Sequence, residues 1–305
     1  MKEIQNDTLR GVLANAFGWN ISSQNLLEST NTCVDDEKAI SIVDKDLSLR
    51  AGRRLVAKAI NTQKNMEDVA ERADEILQSE PTAPTGRGET DQGWIDDCLE
   101  GAGKAYNDDL KNYWAKLLAG EIRNPGYYSL RVVDFMKKLS KNDAEKIKAM
   151  CRYVLYSTDG RDAIILRYTD RPYTYSDLSF LMELRLIDSS NLVVKKYRFT
   201  KETGGGAMFV HGNAGLLLTI AKKEYDLPIY SFTQLGKEML TIIDDMDMDF
   251  DYLRRFAKES TGKNKFLKMS GGHLLQIGNT YHILNDGQNF TYPEMKKEGG
   301  EDGAA

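Results

Sequence analysis

Five aspartates crowd one short stretch: Asp244, Asp245, Asp247, Asp249 and Asp251. Alternating carboxylates open a calcium-binding loop, which then needs a glycine at its sixth position and a glutamate at its twelfth. Counting from Asp245, those positions hold Phe250 and Phe256. The run reads instead as an acidic helix start, favoured by the helix dipole. His211, His273 and His282 fall on separate predicted strands, without the short spacing of a zinc site. Asp286 with Glu294 and Lys296 has the residue order of a metal-dependent nuclease. That chemistry needs carboxylates fixed on adjacent strands, and Gly287, Asn289 and Pro293 break the segment. Gly204-Gly205-Gly206 reads as a mobile turn, and the sequence contains no phosphate-loop, dinucleotide or nucleophile-elbow pattern. Cys33, Cys98 and Cys151 form no Cys-x-x-Cys pair. No catalytic residue, metal ligand or cofactor site is assigned.

Two basic groups remain. Lys195, Lys196, Arg198 and Lys201 interleave with Tyr197 and Phe199. Cations that neutralise phosphate and aromatics that stack bases make this the best nucleic-acid candidate. Arg50, Arg53, Arg54 and Lys58 form a smaller cluster on a charged helix. Against both stands a formal net charge of −5 with a pI near 5.5, which gives no general pull toward nucleic acid or anionic lipid.

The elements that would position these residues are mostly helical. Leu9, Val12, Leu13, Ala16 and Phe17 have helical spacing, and Trp19 reads as a packing residue before a polar loop. Residues 35–78 predict long helices with apolar stripes through Leu47, Ala51, Leu55, Ala59, Met66, Val69, Ala73 and Ile76. Such long charged helices often build oligomer interfaces. Pro81, Pro84, Gly86, Gly88 and Gly93 mark a linker. Leu99, Ala102, Tyr106, Leu110, Tyr113, Trp114, Leu117 and Leu118 then recur at steps of three and four, as one helix that Asp91 can cap. Asn124-Pro125-Gly126 stops it. Ser129 can cap a second helix (Val132, Val133, Phe135, Met136, Leu139), and Ser140 a third, running through Ala144, Ile147, Met150, Cys151, Val154 and Leu155.

Within that stretch, Trp114-Ala115-x-Leu117-Leu118-Ala119-Gly120-Glu121-Ile122, then Asn124-Pro125-Gly126, Ser129-Leu130-Arg131 and Leu139-Ser140-x-x-Asp143-Ala144 resemble the core signature of the domain-of-unknown-function 2806 family. The resemblance runs from about Arg53 to Ile187. It implies architecture, a bacterial cytoplasmic setting and a role in bacteria–phage conflict, and carries over no catalytic residue. The structural signature residues are Trp114, Leu117, Leu118, Gly120, Glu121, Pro125, Gly126, Ser129 and Arg131.

Beyond the helices, Ala163–Leu166, Leu192–Phe199, Met208–Val210, Leu216–Ile220 and Ile229–Phe232 predict strands, with a hairpin through Gly212-Asn213. Thr174 with Asp177 predicts a capped helix, and Thr233 another, with Gly236 at a close contact. The order suggests a winged-helix-like module. It offers one helix where a DNA reader needs a helix-turn-helix pair.

The expected fold is mainly α: a helical region over 1–80, a linker over 81–93 and a central antiparallel bundle over 94–158. A small winged-helix-like α+β module follows over 159–284, and a flexible tail over 285–305. The chain has 305 residues, 41% hydrophobic and 29% charged, as expected of a soluble globular protein. No apolar run approaches the ~20 residues of a membrane span, and the N-terminus shows no signal-peptide pattern. The expected function is a non-catalytic cytoplasmic interaction protein that self-associates. The alternatives are a nucleic-acid-binding regulator and a metal-dependent hydrolase.

Overall fold

The computed structural model describes residues 4–16, 45–79, 90–158, 160–189, 194–198, 206–221, 224–277 and 280–293. Trp19, Cys33, most of the 81–93 linker, Lys201, Gly204, Gly205, Glu294 and Lys296 lie outside them. The chain divides into two compact units, 1–141 and 142–305.

Unit one is helical. It comprises α1 (Asp7–Ala16), α2 (Lys45–Ser79), α3 (Gln92–Ala102), α4 (Asp108–Arg123) and α5 (Leu130–Lys138). The expected single helix through Leu99 and Leu118 is two. Gly103 ends α3, and Asn107 starts α4 by accepting a hydrogen bond from the Leu110 N–H at 2.8 Å. The break is hidden in the sequence because apolar residues resume at helical spacing beyond it. Tyr106, expected on the buried stripe, is exposed in the turn. α3 is central and contacts α1, α2, α4 and α5. The core is Leu9, Leu13, Ile95, Leu99, Trp114, Leu117, Leu118 and Val132, all essentially sealed from solvent. Asp68, Arg72 and Lys111 tie α2 to α4. Burial pushes the Asp68 carboxyl up, but its hydrogen bonds and charge contacts with Arg72 and Lys111 outweigh this and hold it below its ordinary value.

Unit two overturns the mainly-α expectation: this is an α+β fold. Helix α6 (Lys141–Cys151) leads into β1 (Val154–Ser157), β2 (Ala163–Leu166) and α7 (Tyr175–Glu183). Then come β3 (Val194–Arg198), β4 (Gly206–His211), β5 (Ala214–Ile220), β6 (Glu224–Ser231), α8 (Gln234–Ile243), α9 (Phe250–Lys263), β7 (Leu267–Ile277), β8 (Thr280–Ile283) and β9 (Phe290–Tyr292). These strands form one nine-stranded sheet in the order β3-β6-β2-β1-β4-β5-β7-β8, with β9 also on β7. Every pairing is antiparallel. A sheet of this extent replaces the small winged-helix-like module. Val154 and Leu155, expected on a helix, pair in β1 with Ile165 and Ile164.

Local chemistry explains several joints of this unit. Thr174 and Asp177 make a reciprocal capping box on α7. Thr233 caps α8 by accepting from the Gly236 N–H at 3.0 Å. A Cβ on Gly236 would stand 2.0 Å from the Leu186 carbonyl oxygen, so only glycine lets that helix sit so close. The hairpin through Gly212-Asn213 pairs His211 with Ala214. Tyr168, Tyr173 and Tyr252 bury their hydroxyls on backbone: Tyr252 accepts from the Leu166 N–H at 2.6 Å, and Tyr168 donates to the Tyr252 carbonyl at 3.1 Å.

Candidate functional site

The signature residues build one corner of unit one. Trp114 on α4 lies against Gly101 of α3, where a Cβ would stand 2.4 Å from the indole ring. One turn and a half further on, Gly120 receives the ring of Tyr128, and a Cβ there would be 2.7 Å from it. Both glycines therefore exist to let aromatic rings in. Leu117 and Leu118 fill the core below them.

Glu121 is the hinge of this corner. Its side chain is 2% exposed. One carboxylate oxygen accepts from the Gly126 N–H at 2.6 Å, the other from the Tyr128 N–H at 3.0 Å. The carboxylate thus folds the Asn124–Tyr128 loop back onto the end of α4. Gly126 adopts a φ of +81°, the left-handed region open to glycine. Ser129 occupies the N-cap position of α5 without a side-chain capping bond. Arg131 is exposed in the first turn of that helix.

This arrangement opens a cavity of about 480 Å³. Its acidic wall is Asp91, Asp97 and Glu121, its aromatic wall Trp94 and Tyr128, and its rim Gly93, Pro125, Gly126 and Leu130. Among the described residues, no lysine or arginine lines it. Asp91 caps α3, accepting from the Trp94 N–H at 3.0 Å. Asp97 pairs with Lys137 at 2.8 Å. Cys98, behind this wall, is sealed: burial pushes its thiol well above the ordinary value, and the Glu121 charge adds to that. Trp94 is 5% exposed, and its indole Nε1 has no hydrogen-bond partner. Sequence reasoning singled out Glu121, Pro125 and Gly126 but missed Trp94, Asp97 and Tyr128 as lining. The Asp91-x-x-Trp94-x-x-Asp97 spacing, one helix turn per step, was the available signal.

The other sequence candidates have partners of their own. In unit two the acidic run is dispersed among separate partners. Asp244 accepts from the Tyr156 hydroxyl at 2.6 Å, Asp245 pairs with Lys148, Asp249 caps α9 and Asp251 pairs with Arg254. His211 is buried with one ring nitrogen 2.9 Å from the Val154 carbonyl and the other 2.6 Å from that of Met246. His273 meets Asp286, and hydrogen bonds from the Gln288 N–H and then His273 hold that carboxyl below its ordinary value. Among the described residues, no three His, Cys, Asp or Glu side chains group as a metal site. Lys195, Lys196 and Arg198 fall on β3, which ends the strand order and pairs with β6; their side chains lie outside the described set. Among the described residues, no helix is long and apolar enough to cross a membrane.

A family model described as "Protein of unknown function (DUF2806)" matches residues 49–256, and the chain belongs to that family. No curated protein and no solved structure matches it.

Proposed function

We propose that this is a non-catalytic interaction protein that works by self-association through the first half of α2, in the bacterial, phage-conflict setting that the family resemblance implies. One observation carries the reading. Every residue from Gly52 to Asn61 is exposed, including Leu55 at 62%, Val56 at 60% and Ile60 at 50%. Among the described residues, those α2 buries, Val69, Ala70, Ala73 and Asp74, all lie in its second half.

Helix geometry makes this exposed stretch self-complementary. At ~100° per residue, Leu49, Ala51, Gly52, Leu55, Val56, Ala59 and Ile60 occupy one side. Arg50, Arg53, Arg54 and Lys58 occupy the other. Two copies pairing antiparallel bring the apolar sides together around small Ala51, Gly52 and Ala59, and turn the cations outward to water. A helical stretch of this length is marginal in water without packing, so a partner also stabilises the element itself. Full burial of a Leu, Val or Ile is worth roughly 1.5–3 kcal/mol. Four such side chains per copy, already partly covered, leave on the order of 8 kcal/mol for a pair. That is comparable to the estimated ~4–15 kcal/mol cost of association, so the pairing is concentration-dependent.

Light scattering at micromolar concentration tests this. The full chain is expected above its 34.4 kDa single-chain mass, and Leu55→Glu with Ile60→Glu at that mass. A wild-type chain that stays monomeric across the range overturns the reading.

A further inference from the structure

Pairing through the apolar side of α2 leaves its cationic side unused. We propose that this side binds duplex DNA along the phosphate backbone, without regard to sequence. From Leu47 to Met66 the helix carries five cations, Arg50, Arg53, Arg54, Lys58 and Lys64, and no carboxylate. All five are exposed. The stretch is thus +5 in a chain whose total is −5. The next carboxylate along the helix, Glu67, lies about 20 Å beyond Arg54 at ~1.5 Å per residue. Solvent-exposed charges that far apart are largely screened, because the Debye length is about 8 Å at physiological salt. The acidic total of the chain therefore does not decide what this stretch attracts.

The arrangement of the cations narrows the class of polyanion. At ~100° per residue, Arg53 and Lys64 lie towards one flank of the cationic side and Arg54 and Lys58 towards the other, with Arg50, Ala57 and Asn61 between them. A helix with its side chains is about 10–12 Å across, and the B-form major groove is about 12 Å wide, with a phosphate strand along each lip. Cations on both flanks therefore reach both strands, and the planar fork of arginine matches phosphate oxygens in pairs. The major groove of A-form RNA is too narrow for side chains to enter. Single strands are held by stacking on aromatic rings, and α2 has none from Lys45 to Ser79. An anionic membrane would draw the apolar side of the helix into lipid; setting it aside rests on the pairing proposed above, which occupies that side. Phosphate contacts position a protein without reading bases, which is why no sequence preference is expected.

Fluorescence anisotropy of the full chain with a labelled DNA duplex of about two helical turns tests the proposal. Contacts from the four flanking cations give a log–log salt slope of about −3.6, a roughly 150-fold loss of affinity between about 50 and 200 mM salt. Arg53→Gln with Arg54→Gln keeps good helix formers at exposed positions and removes two contacts. The slope should halve, and affinity at about 50 mM salt should fall at least about tenfold. Arg53→Lys with Arg54→Lys keeps the charges and should keep the slope. Lys195→Gln with Lys196→Gln, on β3, should change neither. Duplex RNA and the separate DNA strands should bind more weakly than the DNA duplex. No binding of the duplex at low salt, a slope untouched by the Arg53/Arg54 glutamine pair, loss from the β3 pair instead, or RNA or single strands bound as tightly overturns the proposal. So does retention of the chain by phosphatidylserine vesicles without duplex binding. Light scattering on the same samples keeps the two readings apart. A monomeric chain that binds duplex with this slope supports the DNA surface and sinks the pairing, and a self-associated chain that binds no duplex sinks the DNA surface alone.

Discussion

Replacing Glu121 by glutamine changes no volume and removes one charge, and it tests whether this carboxylate holds the signature corner together. In the wild type each carboxylate oxygen accepts one backbone N–H, from Gly126 at 2.6 Å and from Tyr128 at 3.0 Å. Glutamine keeps one acceptor. Its amide nitrogen then faces the second N–H, donor against donor, in a place 2% exposed. The loss is one charge-assisted hydrogen bond, roughly 1.5–3 kcal/mol, plus the cost of a buried unpaired N–H, about 1–3 kcal/mol. Relief of the buried charge offsets part of this, leaving a net destabilisation of about 3 kcal/mol. Urea unfolding followed by tryptophan fluorescence reads it cleanly, because Trp19, Trp94 and Trp114 all fall within residues 1–141. The midpoint should fall at unchanged slope. A shift worth less than about 0.5 kcal/mol would refute the assigned role and mean the loop closes without Glu121.

Three further outcomes follow from the same geometry. Gly236→Ala should cost roughly 3 kcal/mol or more despite the ~1 kcal/mol that alanine adds to helix propensity, because the new methyl meets the fixed Leu186 carbonyl at 2.0 Å; calorimetry or hydrogen exchange across residues 142–305 reads it. Tyr156→Phe should destabilise the same unit by about 1–3 kcal/mol, since it strips Asp244, a side chain 11% exposed, of the hydroxyl 2.6 Å away. Asp68, with its carboxyl held below the ordinary 3.8, stabilises the α2–α4 contact fully above that value and loses the contribution as pH falls through the lowered one. The stability gap between wild type and Asp68→Asn should therefore be flat from about pH 7 to 5 and close in stronger acid.

Helices and caps were legible in the sequence where a local rule decided them. Asp91, Thr174 with Asp177, and Thr233 are caps because their oxygens meet the N–H two or three residues on, and Gly236 is a close contact as its position suggested. The sheet was not legible as a whole. Ala163–Leu166 is buried on all four residues, and such runs carry no alternation to say how many strands lie on either side. Val154 and Leu155 kept helical spacing with Met150 and Cys151 and were drawn into the wrong element, where sheet pairing decided otherwise. The signature made the corner around Glu121 recognisable, but its cavity depends on Tyr128 reaching Gly120 and Lys137 reaching Asp97. Those contacts join separate helices and no spacing rule states them.

Disulfide trapping between copies tests self-association most directly. In a Cys33→Ser background, where Cys98 and Cys151 are buried, Leu55→Cys places a thiol on the apolar side of α2 and Arg54→Cys places one among the cations. Under mild oxidation at micromolar concentration, Leu55→Cys should run as a covalent dimer on a non-reducing gel and Arg54→Cys as a single chain. No dimer from Leu55→Cys, or equal dimer from both, would contradict pairing through this face.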